Sequence, residues 1–586
     1  MSTAVARYVL LMSLLVPAIP TVSHGKRTGV GAPIGGPPAQ AQSAEPGLQI
    51  PSLPDAIRNR LEAGNVRGEW SAAGDPILAI RALPAAYLSR QFAPIWIRDG
   101  QLSPEVGPFL DYLRRAREEG LNPLDYHLDA LDSLGALLQG EPGTGIGPRV
   151  DYELLLSDAF LVYGSHLLQG RVNPVSIDPE WLANRRNVSM ESVLAAAAET
   201  GRFEQALDGL LPRQPGYSRL KNALARLREE ASAGGWEEVP EGRTLREGDT
   251  DPRVVAVRTR LSQSGDQQKT VASGGGSVVV SPAADPTVFD SLLTQAVQRF
   301  QTRHGLDADG AVGAATLGAM NVPVEARIRQ IEVNLERWRW LPEDLGSRYI
   351  LVNIAGFSAT VVEDGRRVLE MRAIVGRQYR QTPVFSGLMT YLVLSPYWHV
   401  PPTIAAVDKL PEIKKDLGYI AAQRMVLLDA ATNQVIDPAS VNWAEISGPE
   451  FNRRYRLRQD PGPNNALGDV KFMFPNPYNV YLHDTPSREL FARSERGFSS
   501  GCIRIERPLE LAEYLLRGDP RWSAEGIRSA VERRQETTVT LRNPIPVHIE
   551  YWTTWVEDDG RLDFRRDLYG RDAVVDEALT AHPPGM

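Results

Sequence analysis

The sequence predicts a multidomain α+β protein, helical over its first part and mainly β over its last. Three observations carry that reading. The chain has 586 residues, several times the ~100–200 residues of one ordinary domain. Hydrophobic residues recur at spacings of three and four from about residue 52 to about 340, and from Tyr349 the spacing falls to two, as it does when side chains alternate along a strand. Its 42% hydrophobic and 23% charged residues are globular values, sufficient for burial to offset the entropy of ordering the chain.

Charge and composition narrow the function classes. A formal charge of -8 supplies no broad cationic field for phosphates, so nucleic acid is not an expected partner. Residues 1–23 place Arg7 before an apolar run and Pro17 and Pro20 after it. That order reads as a secretory signal, because a membrane span needs roughly 20 apolar residues; a weak N-terminal membrane anchor is the alternative. Residues 24–50, rich in Gly, Pro, Ala and Gln, read as a tether. Cys502 is the single cysteine, so no intrachain disulfide forms. An unpaired thiol in an oxidising compartment calls for a reason, the plain one being a small buried hydrophobe.

The remaining chain divides by pattern. Residues 51–240 read as a helical scaffold, in which Leu156, Phe160, Tyr163 and Leu167 fall on one helix face, as do Leu220, Leu224 and Leu227 further on. Residues 244–321 read as a smaller unit. One helix carries Val254, Val257 and Leu261, a second carries Phe289, Leu292, Leu293, Val297 and Phe300, and a long surface insertion from Ser262 to Asp285 separates them. A linking helix over 324–345 presents Ile328, Ile331, Leu335 and Trp338 on one face. Residues 346–572 read as the β domain, with strands at 349–354, 357–362, 368–375, 389–394, 479–483, 538–541 and 547–551. A hairpin turn falls at Glu363-Asp-Gly365, residues 403–465 form an inserted cap subdomain, and 573–586 are left as a tail.

The residues able to do chemistry cluster in two runs, Tyr481-Leu-His-Asp-Thr-Pro-Ser-Arg488 and Gly497-Phe-Ser-Ser-Gly-Cys-Ile-Arg-Ile505. On a strand, Tyr481 and His483 share one face while Val480 and Leu482 turn to the core. A thiol with a pKa of ~8.5 needs a base or a nearby cation to act as a nucleophile; His483 is the candidate base for Cys502. Arg504 is placed to favour the thiolate or to grip a substrate carboxylate. Gly501 allows a tight bend at which the amides of Gly501 and Cys502 stabilise an oxyanion. Taken singly, each of these residues also has a plain structural reading.

Together, His483-Asp-Thr-Pro-Ser and Ser499-Ser-Gly-Cys-Ile-Arg504 resemble the active-site signature of the L,D-transpeptidases, in particular the large Gram-negative members. Many smaller relatives carry a histidine where Ser500 stands. The resemblance extends to Pro396-Tyr-Trp-His-Val-Pro-Pro402, with Ser395 in place of the usual Asn, to Gln459–Gly468, Lys471-Phe and Tyr569-Gly-Arg-Asp572, and it covers roughly residues 50–572. In the 244–321 unit, Gln298–Gln301, Gly305-Leu306, Asp309–Gly313 and Thr316-Leu317 resemble the three-helix peptidoglycan-binding module, which either binds the wall or only packs on the β domain.

The resemblance implies catalysis by Cys502 as nucleophile and His483 as base, with the Asp484 carbonyl orienting the imidazole, and with Gly501 and Arg504 assisting. Tyr481, Trp398, Ser499 and Ser500 would meet substrate. It implies a thioester formed on a tetrapeptide stem with loss of D-alanine, then transfer to a neighbouring stem as a 3-3 crosslink in the periplasm, with no metal or organic cofactor and with carbapenems acylating Cys502. A sortase-like enzyme is disfavoured by the 19-residue gap between His483 and Cys502. A carboxypeptidase, a protein-attachment enzyme and a non-catalytic wall-binding protein are the competing readings.

Overall fold

Helices dominate the computed structural model as far as residue 340; it describes residues 51–67, 70–140, 145–177, 179, 181, 186–267 and 285–583. The expected signal and tether, and most of the Ser262–Asp285 insertion, lie outside the described residues. The longest helix, α1 (Ile146–Gln169), departs from the one-faced pattern expected of it and is buried nearly all round. Leu156, Phe160, Tyr163 and Leu167 do enter a core with Tyr87, Trp96 and Phe109, but the opposite side is covered too. Buried polar groups are costly unless paired, and here they are paired. Glu153 accepts from the Tyr87 hydroxyl at 2.8 Å and the Trp96 amide at 3.0 Å. Asp158 accepts from the amides of Leu78 and Ala79 at 3.0 and 2.7 Å and bonds His127 at 2.8 Å. A second scaffold helix, α2 (Pro215–Ser232), buries Tyr217, Leu220, Leu224 and Leu227.

The small unit is a bundle of α3 (Arg253–Gln263), α4 (Ser291–Arg303) and α5 (Ala314–Met320) around Val254, Val257, Leu261, Leu293, Val297 and Phe300. Asp290 caps α4, accepting from the Leu293 amide at 2.8 Å. Leu292, counted with the inner face in the sequence, is 55% exposed, because one residue of helix turns it ~100° from Leu293.

The expected linking helix, α6 (Val324–Arg339), is the centre of the chain rather than a connector. Ile331, Leu335 and Trp338 pack with Tyr217, Leu220 and Leu224 of α2 and with Trp552, Trp338 stacking on Trp552 at 4.3 Å. Its polar side is buried as well. Glu336 and Arg339 form a fully buried ion pair at 2.9 Å; Arg339 also donates to the Tyr217 hydroxyl at 2.9 Å and to the Glu119 carbonyl, while Glu336 accepts from the Val172 amide at 2.7 Å. Arg337 pairs at 2.5 Å with Asp572 of α7 (Arg571–Thr580). The residues after 572 are therefore a docked helix through Thr580, where the sequence, lacking a strong apolar stripe there, suggested only a tail.

The β domain is a closed barrel. Its strands are β1 (Arg348–Asn353), β2 (Ser358–Glu363), β3 (Arg366–Gly376) and β4 (Phe385–Leu394); after three short cap strands, β5 (Trp398–His399), β6 (Met425–Asp429) and β7 (Tyr455–Gln459), come β8 (Val470–Met473), β9 (Leu482–His483), β10 (Gly497–Ser499), β11 (Ile503–Ile505) and β12 (Thr537–Glu550). The sheet order is β10-β3-β11-β9-β8-β4-β12-β1-β2, and pairing of β2 with β3 closes the ring. Asp364 and Gly365, at φ of 50° and 74°, make the expected hairpin between β2 and β3. The two stretches read separately at 538–541 and 547–551 are one strand, β12, with a register shift between Thr540 and Ile545. The cap begins earlier than residue 403: β5 pairs with β7, and Trp398 and Val400 belong to the cap's own core with Leu427, Phe451 and Leu457.

Replacing Arg339 with leucine strands the buried Glu336 carboxylate. We expect a loss of about 3–5 kcal/mol, seen as an early transition in urea unfolding; an unchanged midpoint would show that the pair does not hold the helix.

Candidate active site

Strand register assembles the site. In β8, Val470 and Phe472 point into the barrel core, so Lys471 faces the other way. Lys471 lies opposite His483 in the antiparallel β8/β9 pair, and His483 opposite Arg504 in the parallel β9/β11 pair. Directly paired residues share a face, so Lys471, His483 and Arg504 form one row across three strands. Two residues earlier along each chain, Tyr481 and Cys502 take the same face, while the Ile503 amide donates to the Tyr481 carbonyl at 3.1 Å.

His483 is 5% exposed. Its Nδ1 donates to the Asp484 carbonyl at 2.5 Å; a carbonyl only accepts, so the proton sits on Nδ1 and Nε2 is left as an acceptor. Burial first, and then the cations of Arg504 and Lys471, push its pKa down to about 3, against the Asp484 bond. The Asp484 carboxylate is itself anchored, pairing with Arg488 at 2.9 Å and accepting from the Asp469 amide at 2.9 Å. Gly468, at φ +59°, has to be glycine, since a Cβ there would lie 2.3 Å from the Asp484 carboxylate.

The partly exposed Cys502 donates weakly to the Asn479 carbonyl at 3.8 Å. Burial pushes the thiol up, opposed by hydrogen bonds from Tyr481 and by the charges of Lys471 and Arg504. At neutral pH the cavity therefore holds a protonated thiol and a neutral imidazole, and attack has to carry the proton away from sulfur.

The bend adds two details to the sequence expectations. Ser499 is buried, and its hydroxyl is spent inside the turn: it accepts from the Gly501 amide at 3.1 Å and donates to the Cys502 carbonyl at 2.5 Å. It stitches the loop, while the residue still borders the cavity. The same bond occupies the Gly501 amide, so of the two expected oxyanion donors only the Cys502 amide is without a partner among the described residues. Gly501 still has the backbone role expected of it, at φ +112°. Thr382, which no motif marks, fixes that peptide: its hydroxyl donates to the Gly501 carbonyl at 2.8 Å and accepts from the Gly376 amide at 2.9 Å. Tyr569 completes the clamp, donating to the Gly376 carbonyl at 2.7 Å and accepting from the Thr382 amide at 3.2 Å.

The other named residues also converge. Arg504 meets no carboxylate within ion-pair distance among the described residues, and its Nε is buried without a partner. The exposed Ser500 accepts from Arg380 at 3.0 Å, and Arg380 holds Asp408 of the cap through both nitrogens, which ties cap to nucleophile loop. Trp398 is mostly buried in the cap core. A cavity of about 580 Å3 is lined by Cys502, His483, Tyr481, Arg504, Ser500 and Trp398. Lys471, quoted in the sequence only as part of a motif, stands opposite His483 in the same row; the in-out alternation of Val470, Lys471 and Phe472 is the sequence signal for its placement.

Residues 347–522 match the L,D-transpeptidase catalytic domain. The chain carries an L,D-transpeptidase catalytic domain. Ahead of it, residues 81–224 match a scaffold domain and 250–320 a "Putative peptidoglycan binding domain". A curated protein of Haemophilus influenzae named "Putative L,D-transpeptidase" is 36% identical over 255 residues, 43% of this chain and 50% of that protein; the chain thus spans about half the length of that relative. Among solved structures, an L,D-transpeptidase of Xylanimonas cellulosilytica is 15% identical over 53% of this chain and 100% of that one, with a TM-score of 0.17. An L,D-transpeptidase in complex with imipenem is 15% identical over 35% of this chain and 59% of that one, with a TM-score of 0.16. TM-scores this low carry no weight for the geometry.

Two outcomes follow for this L,D-transpeptidase domain. Because His483 is held neutral and the thiol is raised, alkylation of Cys502 by iodoacetamide should climb about tenfold per pH unit from pH 6 to 8; a plateau below pH 7 would instead reveal a preformed thiolate–imidazolium pair. Thr382→Val should slow acylation of Cys502 by an activated ester about tenfold or more by loosening the Cys502 amide, while simple alkylation stays within about twofold. Equal losses in both reactions would mean that Thr382 only supports the fold.

Proposed function

We propose that the protein is a cysteine-dependent L,D-transpeptidase that forms 3-3 crosslinks in peptidoglycan. The carrying observation is that the chain's single thiol, an imidazole with a free acceptor nitrogen and an arginine without an acidic partner share one cavity in a domain of this family. The peptidoglycan-binding domain in the same chain supports wall stems as substrate.

The geometry suits a double displacement. Cys502 gives its proton to Nε2 of His483 as sulfur attacks the acyl carbon at the third residue of a donor tetrapeptide, and the Cys502 amide receives the developing oxyanion. The carbon–nitrogen bond breaks, the imidazolium returns its proton to the leaving D-alanine amine, and a thioester remains. An amine from a neighbouring stem then attacks that thioester, losing its proton by way of His483 to the departing sulfur, and a new amide forms. Imidazole held at low basicity by burial takes up and releases the proton without retaining it. Arg504, free of carboxylates, grips a substrate carboxylate, and Tyr481, Trp398 and Ser500 line the donor pocket. Such substrates lie outside the cytoplasm, in keeping with export to a Gram-negative periplasm. A carbapenem, a strained acyl donor of similar size, would be captured as the same type of Cys502 ester.

Incubation with a carbapenem followed by intact-mass measurement should show one stable adduct on wild type and none on Cys502→Ala. Muropeptide analysis with tetrapeptide substrate should show crosslinked dimer formed by wild type, and at least about a hundredfold less by His483→Ala. Trimmed tripeptide without dimer would turn the reading to a carboxypeptidase, and full activity in either variant would remove it.

A further inference from the structure

We propose that Lys471 is the positioning residue that sets how readily Cys502 ionises, acting through the ring of Tyr481. Its importance for turnover rests on the thioester reading above; its test does not. Lys471 sits in β8 between Val393 of β4 and His483 of β9, on the face that carries the site. Its ammonium lies 4.0 Å from the centroid of the Tyr481 ring. Among the described residues no carboxylate comes within ion-pair distance of it. Of the acids near it, Glu536 accepts from the Tyr397 amide at 2.7 Å. Among the described residues no hydrogen bond or ion pair holds this half-buried charge.

The ring it rests on lines the cavity that holds the reacting atom. Tyr481 and Cys502 line the same cavity, and the Ile503 amide, next to Cys502, donates to the Tyr481 carbonyl at 3.1 Å, which keeps the ring on the side of the sulfur; the charge of Lys471 lowers the barrier to ionising that sulfur. A cation on the face of a phenol is attracted to the ring and draws electron density from it, which strengthens the hydroxyl as a donor in a linked chain of hydrogen bonds. The donor meets a thiolate better than a thiol, so ammonium, ring and hydroxyl all favour the ionised sulfur.

Other groups face Cys502 from each neighbouring element, and none duplicates this route. Arg504 of β11 and Arg377 beyond β3 are cations on the substrate side. His483 is neutral. In the cap, Asp408 is held by Arg380, and Lys409 donates to the Tyr419 hydroxyl at 2.9 Å. A lysine suits the place under the ring because its charge is compact.

The experiment follows alkylation of Cys502 by iodoacetamide against pH on the full chain, read by intact mass; with one cysteine, one thiol reports. In Lys471→Met the profile should move to higher pH by about one unit, so that alkylation at pH 7 slows about tenfold. Lys471→Arg, which keeps the charge, should stay within about threefold of wild type. In a Tyr481→Phe background the Lys471→Met effect should shrink to less than about threefold. Coincident profiles for wild type and Lys471→Met, or an arginine variant as slow as the methionine one, would overturn the assignment. Should Lys471→Met not fold, linkage supplies the reciprocal reading: with the few lysines of the chain labelled as dimethylamines, the Lys471 resonance should titrate at lower pH in Cys502→Ala than in wild type. Identical titration overturns the proposal. Loss of crosslinking activity in wild type, with the alkylation shifts as expected, would remove the proposed reaction and leave Lys471 in its role.

Discussion

The register of β8 against β9, and of β9 against β11, is the constraint on which the rest of the site depends. Side chains alternate with period two, so a slip of one residue in any of these strands would exchange its faces. Leu482, Ile503 and Phe472, all fully buried, would then enter a polar cavity, and Lys471, His483 and Arg504 would enter the barrel core. Each apolar side chain contributes about 1.5–3 kcal/mol by being buried, and unpaired charges in the core cost several more. In the sheet closed through β2 and β3, each of β8, β9 and β11 has a partner strand on both sides, so none of the three is an edge along which a slip could begin. The placement of the reacting groups is thus a by-product of hydrophobic sorting on the far side of the same strands.

Electrostatics then divides the labour. Two cations flank a thiol and an imidazole that are both neutral at rest. The positive field favours sulfur losing its proton and disfavours imidazole keeping one, so the proton passes through His483 rather than resting there. Burial is the larger influence on both groups. Such a site holds its thiol protonated, and therefore unreactive, at rest.

Much of this was readable in the sequence and some was not, for physical reasons. Strand alternation and chemical type point directly at Cys502, His483, Tyr481 and Arg504, which the structure brings to one cavity. Thr382 was invisible: its role is a single hydroxyl bond to a carbonyl 119 residues away, and nothing local distinguishes it from any other threonine. The bonds of Ser499 to Gly501 and Cys502 are not readable either, because a serine beside a nucleophile suggests substrate contact and gives no sign of a hydroxyl used within its own turn. For α1 and α6, periodicity reported the strongest apolar face and passed over the polar one, since buried Glu153, Asp158, Glu336 and Arg339 look like solvent-facing residues until their partners are located far along the chain. The cap boundary failed for a similar reason, Trp398 being shared between a motif and a core formed by residues up to Leu467.

The scaffold, module and barrel are distinct as stretches of sequence, yet α6 belongs to its neighbours on both sides. One surface carries the indole that stacks on Trp552, another the carboxylate that holds Val172, and a third the guanidinium that reaches Asp572 near the end of the polypeptide. A genetic crossover that imported the barrel without its upstream partners would leave several charged side chains facing each other across an empty seam. The three segments are therefore tied to one another through a single helix, and exchange of one alone would cost the partners of the other two.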